Sequence, residues 1–343
     1  MKGPADSPMD TATLKAALLN PALYPGCPQK IDFIETHISL LFLTGTHVYK
    51  VKKPVNFGFL DFSSLEKREY YCHQEVLLNR RLAQDLYLGV VRLTEDEGRV
   101  TFDGKGKVVD FAVEMKQISE AFLLDQLLRR GEMTPEMMEA VAEKLVRFYA
   151  VAETSDHIKS FARPERIKQD TDENFEQTEA FINRTISGEI FREVKEKTND
   201  FLRGREETFY SRIASDRIRD CHGDLRLEHI FWGDPILIFD CIEFNERFRY
   251  TDVAADIGFL AMDLDYHGRE DVSERFLRDY VAKSGDRGLM DVLDFYRCYR
   301  AYVRGKVESL RLEDPSLPSE EKEGAKHRAQ TYFLLAHRYA GRF

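Results

Sequence analysis

Apolar and polar positions alternate in the first third of the chain. The segment Ile31 to Thr44 is rich in Ile, Phe and Leu, and Val48 to Val55 alternates apolar with basic residues after a Thr44-Gly45 break. A period of two between turn residues predicts two or three antiparallel strands here. Further strand-like stretches follow at Gly89 to Leu93, Val100 to Phe102 and Val108 to Met115.

One helical pattern lies between these groups of strands. Ser63-Ser64-Leu65-Glu66 has the spacing of a capping box, and apolar residues then recur at helical intervals from Tyr70 to Leu82. The pattern predicts a helix from about Ser64 to Ala83.

The pattern becomes mostly helical from Ala121 to the end of the chain. One strand-like island interrupts it, in which Ile230 to Trp232 and Ile236 to Phe239 flank a Gly-Asp-Pro turn. The sequence therefore predicts an α+β protein with an N-terminal leader or helix (1–28), a strand-rich N-lobe (29–117) and a helical C-lobe (118–343). A cleft between two such lobes is a usual place for a ligand.

Composition narrows the class of protein. Of the 343 residues 43% are hydrophobic and 32% are charged, as in ordinary globular proteins. A net charge of -10 disfavours broad nucleic-acid binding. The five cysteines are scattered without a C-x-x-C pair, and no apolar run approaches the roughly 20 residues that cross a bilayer. We expect a cytoplasmic protein with reduced thiols, and neither a membrane nor a nucleic acid as partner.

Two aspartates flank the strand-like island. Asp224 precedes the first strand, and Asp240 stands sixteen positions later at the end of the returning strand. The hairpin is expected to bring the two carboxylates to one site. Phosphoryl transfer uses such a pair, because one carboxylate orients the attacking hydroxyl and the other holds the magnesium ion on the phosphates.

At these residues the sequence resembles the aminoglycoside phosphotransferase family, which has a kinase-like fold. The family pattern is H-G-D-L-H-x-x-N, then a strand ending I-D-F, then D-P-x-x-D-L-A. The matching residues are His222-Gly223-Asp224-Leu225, Phe239-Asp240, and Asp252 to Asp256. The resemblance implies a bilobal protein-kinase-like fold, with a small antiparallel-sheet N-lobe carrying one main helix and a larger, mostly helical C-lobe.

The resemblance also implies roles. Asp224 corresponds to the catalytic base and Asp240 to the chief magnesium ligand, while His222, Asp252 and Asp256 support the catalytic loop. Two positions depart from the pattern. Arg226 replaces the second His and adds positive charge near the phosphates, and His229 replaces the Asn that ligates a second metal, although magnesium prefers oxygen.

The N-terminal half contains the nucleotide-binding candidates. In kinase-like folds a strand lysine holds the phosphates and pairs with a helix glutamate. Lys50 or Lys52 fits, because alternate strand residues share a face and Lys53 points away. Glu75 is the preferred partner and Glu69 the alternative. The hinge segment 111–117 is expected to meet the adenine edge through Glu114, Met115 and Gln117. The usual glycine-rich loop is missing, because Glu35-Thr36-His37-Ile38-Ser39 occupies its place.

The implied activity is an ATP-dependent phosphotransferase that uses Mg²⁺, or Mn²⁺, and a small-molecule hydroxyl acceptor. Two alternatives stay open: an atypical Ser/Thr protein kinase, and a nucleotide-binding module without turnover. The segment from His222 to Leu264 resembles a bacterial branch whose members sometimes carry a C-terminal P-loop ATPase domain. This chain has no G-x-x-x-x-G-K-[ST] motif, so it is expected to correspond to the kinase-like part alone.

Overall fold

The structure is a computed structural model that describes residues 9–343. Contacts divide these residues into two compact units. The first contains the described residues up to Gln126 together with His229–Asn245, and the second contains Leu127–Glu228 and Glu246–Phe343. The 229–245 segment, which the sequence-based division assigns to 118–343, thus packs with the N-terminal strands. Residues 1–8 of the expected leader lie outside the described residues.

An antiparallel sheet of six strands forms the centre of the first unit, in the order β1-β2-β3-β6-β4-β5. The predicted segment from Ile31 to Thr44 is two strands, because the chain turns where Thr36 N donates to Ser39 O at 2.9 Å. The other predicted strands are confirmed, three of them with longer bounds, whereas the predicted segment Val48 to Val55 is a strand only as far as Lys52. The strands are β1 Asp32–Glu35, β2 Ser39–Leu43, β3 His47–Lys52, β4 Tyr87–Asp96, β5 Arg99–Phe102 and β6 Lys107–Lys116.

The alternation of β3 decides which side chains meet on each face of the sheet. Tyr49 and Val51 are buried in an apolar cluster with the helix α1 (Thr11–Leu18). Successive strand residues point to opposite faces, so Lys50 and Lys52 lie on the other side. The two lysines therefore face away from α1.

The helix α2 (Leu65–Ala83) covers that second face and confirms the predicted helix. Ser64 is its N-cap, and its hydroxyl accepts a hydrogen bond from Lys67 N at 3.3 Å. Buried side chains of α2 and β6 form one cluster, and Leu237 and Phe239 pack against it. The hairpin of β8 (Ile230–Phe231) and β9 (Leu237–Ile238) thus lies on the same face as Lys50 and Lys52.

The second unit is mostly helical, with a core formed by side chains of α6, α7, α9, α11 and α12. Its helices are α3 Leu124–Arg129, which begins in the first unit, α4 Pro135–Val151, α5 Asp156–Ser160, α6 Pro164–Thr178, α7 Gly188–Gly204, α8 Glu206–Ala214, α9 Val253–Tyr266, α10 Glu270–Ser284, α11 Leu293–Leu310 and α12 Ser319–Ala340. The prediction of a single strand-like island was wrong. β7 (Ile218–Asp220) also pairs with β10 (Tyr250–Asp252), and strands this short show no alternation in sequence.

The chain therefore has the predicted α+β, kinase-like fold: an antiparallel sheet with one main helix, and a larger helical part. All five cysteines are free thiols, and four of them are buried. Within residues 9–343, no helix combines the length and the apolar composition that crossing a membrane requires.

Candidate active site

Lys50 forms ion pairs with two carboxylates on the side of the sheet that α2 covers. Its Nζ lies 2.8 Å from Glu75 Oε1 and 2.8 Å from Asp240 Oδ1. The Glu75 side chain is fully buried, whereas the Asp240 side chain is 45% exposed. A strand lysine, a helix glutamate and a carboxylate that follows a hairpin thus form one continuous chain of ion pairs.

Lys52 makes a second and deeper pair of contacts. Its Nζ lies 2.6 Å from Glu75 Oε2 and also donates to Glu243. The Lys52 side chain is 1% exposed, against 14% for Lys50. Each oxygen of the Glu75 carboxylate therefore forms an ion pair with a different lysine, and only Lys50 has appreciable access to solvent.

Burial and ion pairing set the charges of this cluster. Burial lowers the pKa of both lysines, but the neighbouring carboxylates outweigh it and raise each pKa above its ordinary value. Burial raises the pKa of Glu75, and the two lysines reverse that effect and lower it. Burial prevails for Glu243, whose pKa is raised despite Lys52. Both lysines are therefore cations at neutral pH, and Glu75 is an anion.

The turn at Asp240 is held by neighbouring elements. Asp240 has a left-handed backbone with φ 60°, which aspartate tolerates better than most residues. Its N–H donates to the Tyr87 hydroxyl at 3.2 Å, and Cys241 N–H donates to Asn79 Oδ1 at 2.8 Å. His229 Nε2 lies 3.7 Å from Asp240 Oδ2. The strand β4 and the helix α2 therefore fix the backbone that presents the Asp240 carboxylate.

The donor set at Asp240 suits a metal that arrives with its nucleotide. Among the described residues, no three His, Cys, Asp or Glu side chains are grouped to hold a metal ion. Magnesium is usually bound by one or two carboxylates and by substrate phosphates, and rarely by an all-protein cage. The half-exposed carboxylate of Asp240 fits that arrangement.

The predicted adenine-binding residues lie at the end of β6. Glu114 and Met115 are inside the sheet, with register partners on both β3 and β4. Glu114 Oε1 accepts the Tyr49 hydroxyl at 2.8 Å, and Gln117 Oε1 accepts Gly45 N–H at 2.8 Å. The Gln117 N–H donates to Thr46 O. The polar groups of this segment are thus largely committed to the sheet and its turn.

The second unit contains the other predicted aspartate. Arg226 donates through Nε to Asp224 Oδ1 at 3.0 Å and through Nη2 to Oδ2 at 2.9 Å. Arg226 also forms an ion pair with Glu228. Burial lowers the Arg226 pKa, but Asp224 and the other carboxylates raise it overall. The guanidinium therefore stays charged and fixes the plane of the Asp224 carboxylate.

Asp256 supports the turn that carries Asp224. Its fully buried carboxylate accepts His222 N–H at 2.6 Å, Gly223 N–H at 3.0 Å and the Tyr149 hydroxyl at 2.9 Å. Asp252, the N-cap of α9, is also buried and pairs with Arg212 Nη2 at 2.6 Å. The Asp256 contacts tie the turn to the first turn of α9, and the Asp252 pair ties the start of α9 to α8.

A comparison with protein families identifies the family of this chain. Residues 123–296, just over half of the chain, match the model of the Phosphotransferase enzyme family. The chain belongs to this family.

Similar proteins extend the comparison. Uncharacterised proteins of Mycobacterium tuberculosis and Mycobacterium bovis are 34% identical over 299 residues, which cover 87% of this chain and 58% of theirs. The chain thus spans little more than half the length of these curated relatives. Among solved structures, a choline/ethanolamine kinase family protein of Mesorhizobium loti is 12% identical, with a TM-score of 0.49 and coverage of 96% and 100%. An aminoglycoside phosphotransferase of Streptomyces rimosus, in complex with ADP and streptomycin, is 13% identical, with a TM-score of 0.43 and coverage of 94% and 99%.

The structure distributes the sequence-predicted residues of this phosphotransferase family member over both units. Lys50, Lys52, Glu75, Asp240 and His229 lie together in the first unit, and Asp224 and Arg226 lie in the second. Glu69, the alternative partner, lies on the exposed face of α2.

Sequence reasoning missed two residues of these clusters. Glu243 pairs with Lys52, and Asp263 Oδ2 accepts Leu227 N–H at 2.9 Å behind the Asp224 turn. One signal for Glu243 was available, because two lysines on one buried strand face require more than one carboxylate.

Proposed function

We propose that this protein transfers the γ-phosphoryl group of ATP to a hydroxyl of a small molecule. The chain of ion pairs from Glu75 through Lys50 to Asp240 carries this proposal. A strand lysine paired with a helix glutamate, beside a metal-binding carboxylate, is the set of groups that kinase-like enzymes direct at nucleotide phosphates. Membership of the Phosphotransferase enzyme family supports the same class of reaction.

Lys50 is the lysine that we assign to the phosphates. It is the more exposed of the two, and its contact with Asp240 directs it toward the half-exposed side of the cluster. Lys52 already donates to two buried carboxylates and cannot reach a ligand without leaving them unpaired.

Asp240 would hold the divalent metal, with His229 beside it. A bound Mg²⁺ or Mn²⁺ neutralises phosphate charge and supplies no proton transfer of its own. The protein contributes the fixed backbone at Asp240 and the lysine that leaves the carboxylate when the metal and phosphates arrive. The adenine contacts expected of Glu114, Met115 and Gln117 stay a prediction. Because their polar groups are committed to the sheet, the residues that follow β6 are the better candidates.

Asp224 would accept the proton of the acceptor hydroxyl or orient that hydroxyl. The fork of Arg226 leaves each Asp224 oxygen with one charged donor and restricts rotation of the carboxylate. Catalysis of this kind depends on position and charge and not on covalent chemistry, so the fixed turn at His222 and Gly223 serves it directly.

A titration of thermal stability tests the proposal. We would measure the melting temperature with ATP, ADP and GTP, each with Mg²⁺, Mn²⁺ or chelator, for wild type and Asp240→Ala. Asp103→Ala is a matched control, because Asp103 also has a left-handed backbone, is 51% exposed and pairs with one basic residue. We expect metal-dependent stabilisation by ATP that Asp240→Ala loses and Asp103→Ala keeps. No shift with any nucleotide would overturn the proposal.

A nucleotide-binding module without turnover is the second candidate. His229 stands in the family's asparagine position, and the turn between β1 and β2 contains no glycine. This candidate predicts stabilisation by ATP but no transfer of labelled phosphate to any hydroxyl compound. An atypical protein kinase predicts label in a protein. Only eleven residues separate Asp240 from Asp252, too few for a long activation segment, so we expect no such labelling.

A further inference from the structure

A buried ion pair lies beside the proposed phosphate lysine. The Glu243 side chain is 6% exposed and that of Lys52 is 1% exposed. Removing two charges from water costs several kcal/mol per ion, and apolar residues in place of such a pair are often neutral or stabilising. Stability alone therefore does not account for Glu243 and Lys52.

The pair completes a closed ring of ion pairs and backbone that includes Asp240, the candidate metal ligand. Glu243 follows Asp240 by three residues, and Lys52 follows Lys50 by two on the same face of β3. Asp240 contacts Lys50, Lys50 and Lys52 share Glu75, and Lys52 contacts Glu243. The segment from Asp240 to Glu243 is thus attached to one strand at both of its ends.

We propose that Glu243 is a positioning residue for binding of the metal–nucleotide complex. Its ion pair with Lys52 holds the segment that carries Asp240 against β3 when Lys50 turns from Asp240 to the phosphates. The inference rests on the proposed function, because it requires nucleotide and metal to bind at Lys50 and Asp240.

Competition at Asp240 makes the second attachment necessary. A metal ion and Lys50 would use the same carboxylate, so the contact between Lys50 and Asp240 weakens when the metal binds. The bonds to Tyr87 and Asn79 hold the N–H groups of residues 240 and 241, and Arg81 Nη2 contacts Cys241 Sγ at 3.3 Å. Glu243 is the ion-paired attachment at the far end of the segment, next to the bond from Asn245 Nδ2 to Phe59 O, and we expect it to make no contact with the ligand.

The charged groups of the cluster should affect the affinity for ATP differently with and without a metal ion. The cluster contains two lysines and three carboxylates, and loss of the Glu243 carboxylate leaves two of each. A metal ion is then attracted less strongly, whereas metal-free ATP, an anion, is repelled less and should bind equally well or better. A residue that served only stability would weaken both forms of ATP in parallel.

The experiment is calorimetric titration of the full chain with ATP, in chelator and then with Mg²⁺ or Mn²⁺. We define the metal gain as the dissociation constant of ATP in chelator divided by its dissociation constant with the metal. For Glu243→Gln we expect a metal gain about tenfold or more below wild type, as for other residues that orient a metal ligand, with metal-free affinity kept or improved. Glu246→Gln, whose side chain is 51% exposed, is the matched control and should keep both constants.

A double variant, Lys52→Met with Glu243→Met, separates position from charge, because it removes one lysine and one carboxylate together and so keeps the balance of basic and acidic groups in the cluster. It also replaces the pair by apolar side chains, which keeps the test valid if Glu243→Gln fails to fold. A reduced metal gain in the double variant supports positioning, and an unchanged metal gain overturns it. Wild type that binds no ATP refutes the proposed function itself. Wild type that binds ATP with a metal gain that Glu243→Gln retains refutes only the role of Glu243.

Discussion

Arg226 holds Asp224 through two parallel hydrogen bonds, one to each carboxylate oxygen, at 3.0 and 2.9 Å. The two residues are separated only by Leu225, and the family pattern has a histidine where Arg226 stands. An arginine fork restricts a carboxylate in a way that a single donor does not. In this chain the orientation of the proposed base is therefore set by its own turn.

Changing Asp224 to Asn should lower turnover by about 10²- to 10⁴-fold, the usual loss when a general base is removed. Arg226→Met should lower turnover less, and Arg226→Lys should lie between it and wild type, because lysine supplies charge without the fork. The measurement is the rate of phosphate transfer, with ATP affinity determined alongside. A fully active Asp224→Asn protein would contradict the assignment of the base.

The two lysines of β3 should separate binding from stability. Lys50→Met removes the proposed charged contact to phosphate, worth about 1.5–3 kcal/mol, so we expect a roughly ten- to hundredfold loss of affinity for Mg–ATP. Lys52→Met leaves buried carboxylates short of a partner and should lower the free energy of unfolding by about 3–5 kcal/mol.

Chemical denaturation and ATP titration of both variants measure this division. Lys53→Met is the control, because Lys53 pairs with Glu35 at the surface, where such pairs contribute about 0–1 kcal/mol. If Lys52→Met lost ATP affinity and kept its stability, the two roles would have to be exchanged.

Asp256→Asn should destabilise the protein and disturb the turn at Asp224. An amide has one acceptor oxygen, so its NH₂ group must face a backbone N–H or the Tyr149 hydroxyl. An unsatisfied buried donor costs about 1–3 kcal/mol. Tyr149→Phe removes one donor and leaves the two backbone bonds, so its loss should be smaller. Denaturation curves of the two variants give the order, and an equal or larger loss for Tyr149→Phe would argue against backbone support by Asp256.

Lys306 gives a prediction of pH dependence in the helical unit. Its Nζ donates to Asn174 Oδ1 and Gln177 Oε1, both neutral, at 2.7 Å. Burial lowers the pKa of Lys306 to about 8, with Glu173 raising it and Arg247 lowering it further. As the pH rises, the folded protein releases this proton before the unfolded chain does. Burial of the charged lysine therefore lowers the free energy of unfolding at pH 7, and this loss declines between about pH 8 and the ordinary pKa of 10.5.

The free energy of unfolding of Lys306→Met, compared with that of wild type, should therefore be higher at pH 7 than at pH 10. One pKa unit corresponds to about 1.4 kcal/mol, so the difference in unfolding free energy between the two pH values is on the order of 2 kcal/mol. The lost bonds to Asn174 and Gln177 affect both values alike and cancel in this difference. A difference that does not change with pH would mean that the Lys306 pKa is ordinary.

Several features follow from neighbouring residues along the chain. The period of two in β3 puts Lys50 and Lys52 on one face, and the Ser64 cap and apolar spacing define α2 within one residue of its observed start. The order of motifs around Asp224, Asp240 and Asp256 indicated the family. Local sterics and side-chain periodicity suffice for such features, because each depends on residues within a few positions of one another.

Contacts between residues that are far apart in the sequence depend on long-range packing. Glu75, and not Glu69, meets the lysines because only its side chain lies on the buried face of α2. Glu243 meets Lys52 across 191 positions, and β7 meets β10 through three residues in each strand. No local pattern encodes such partners. Their choice follows from the way that burial of apolar faces brings distant charges together, after which each buried charge must find a partner.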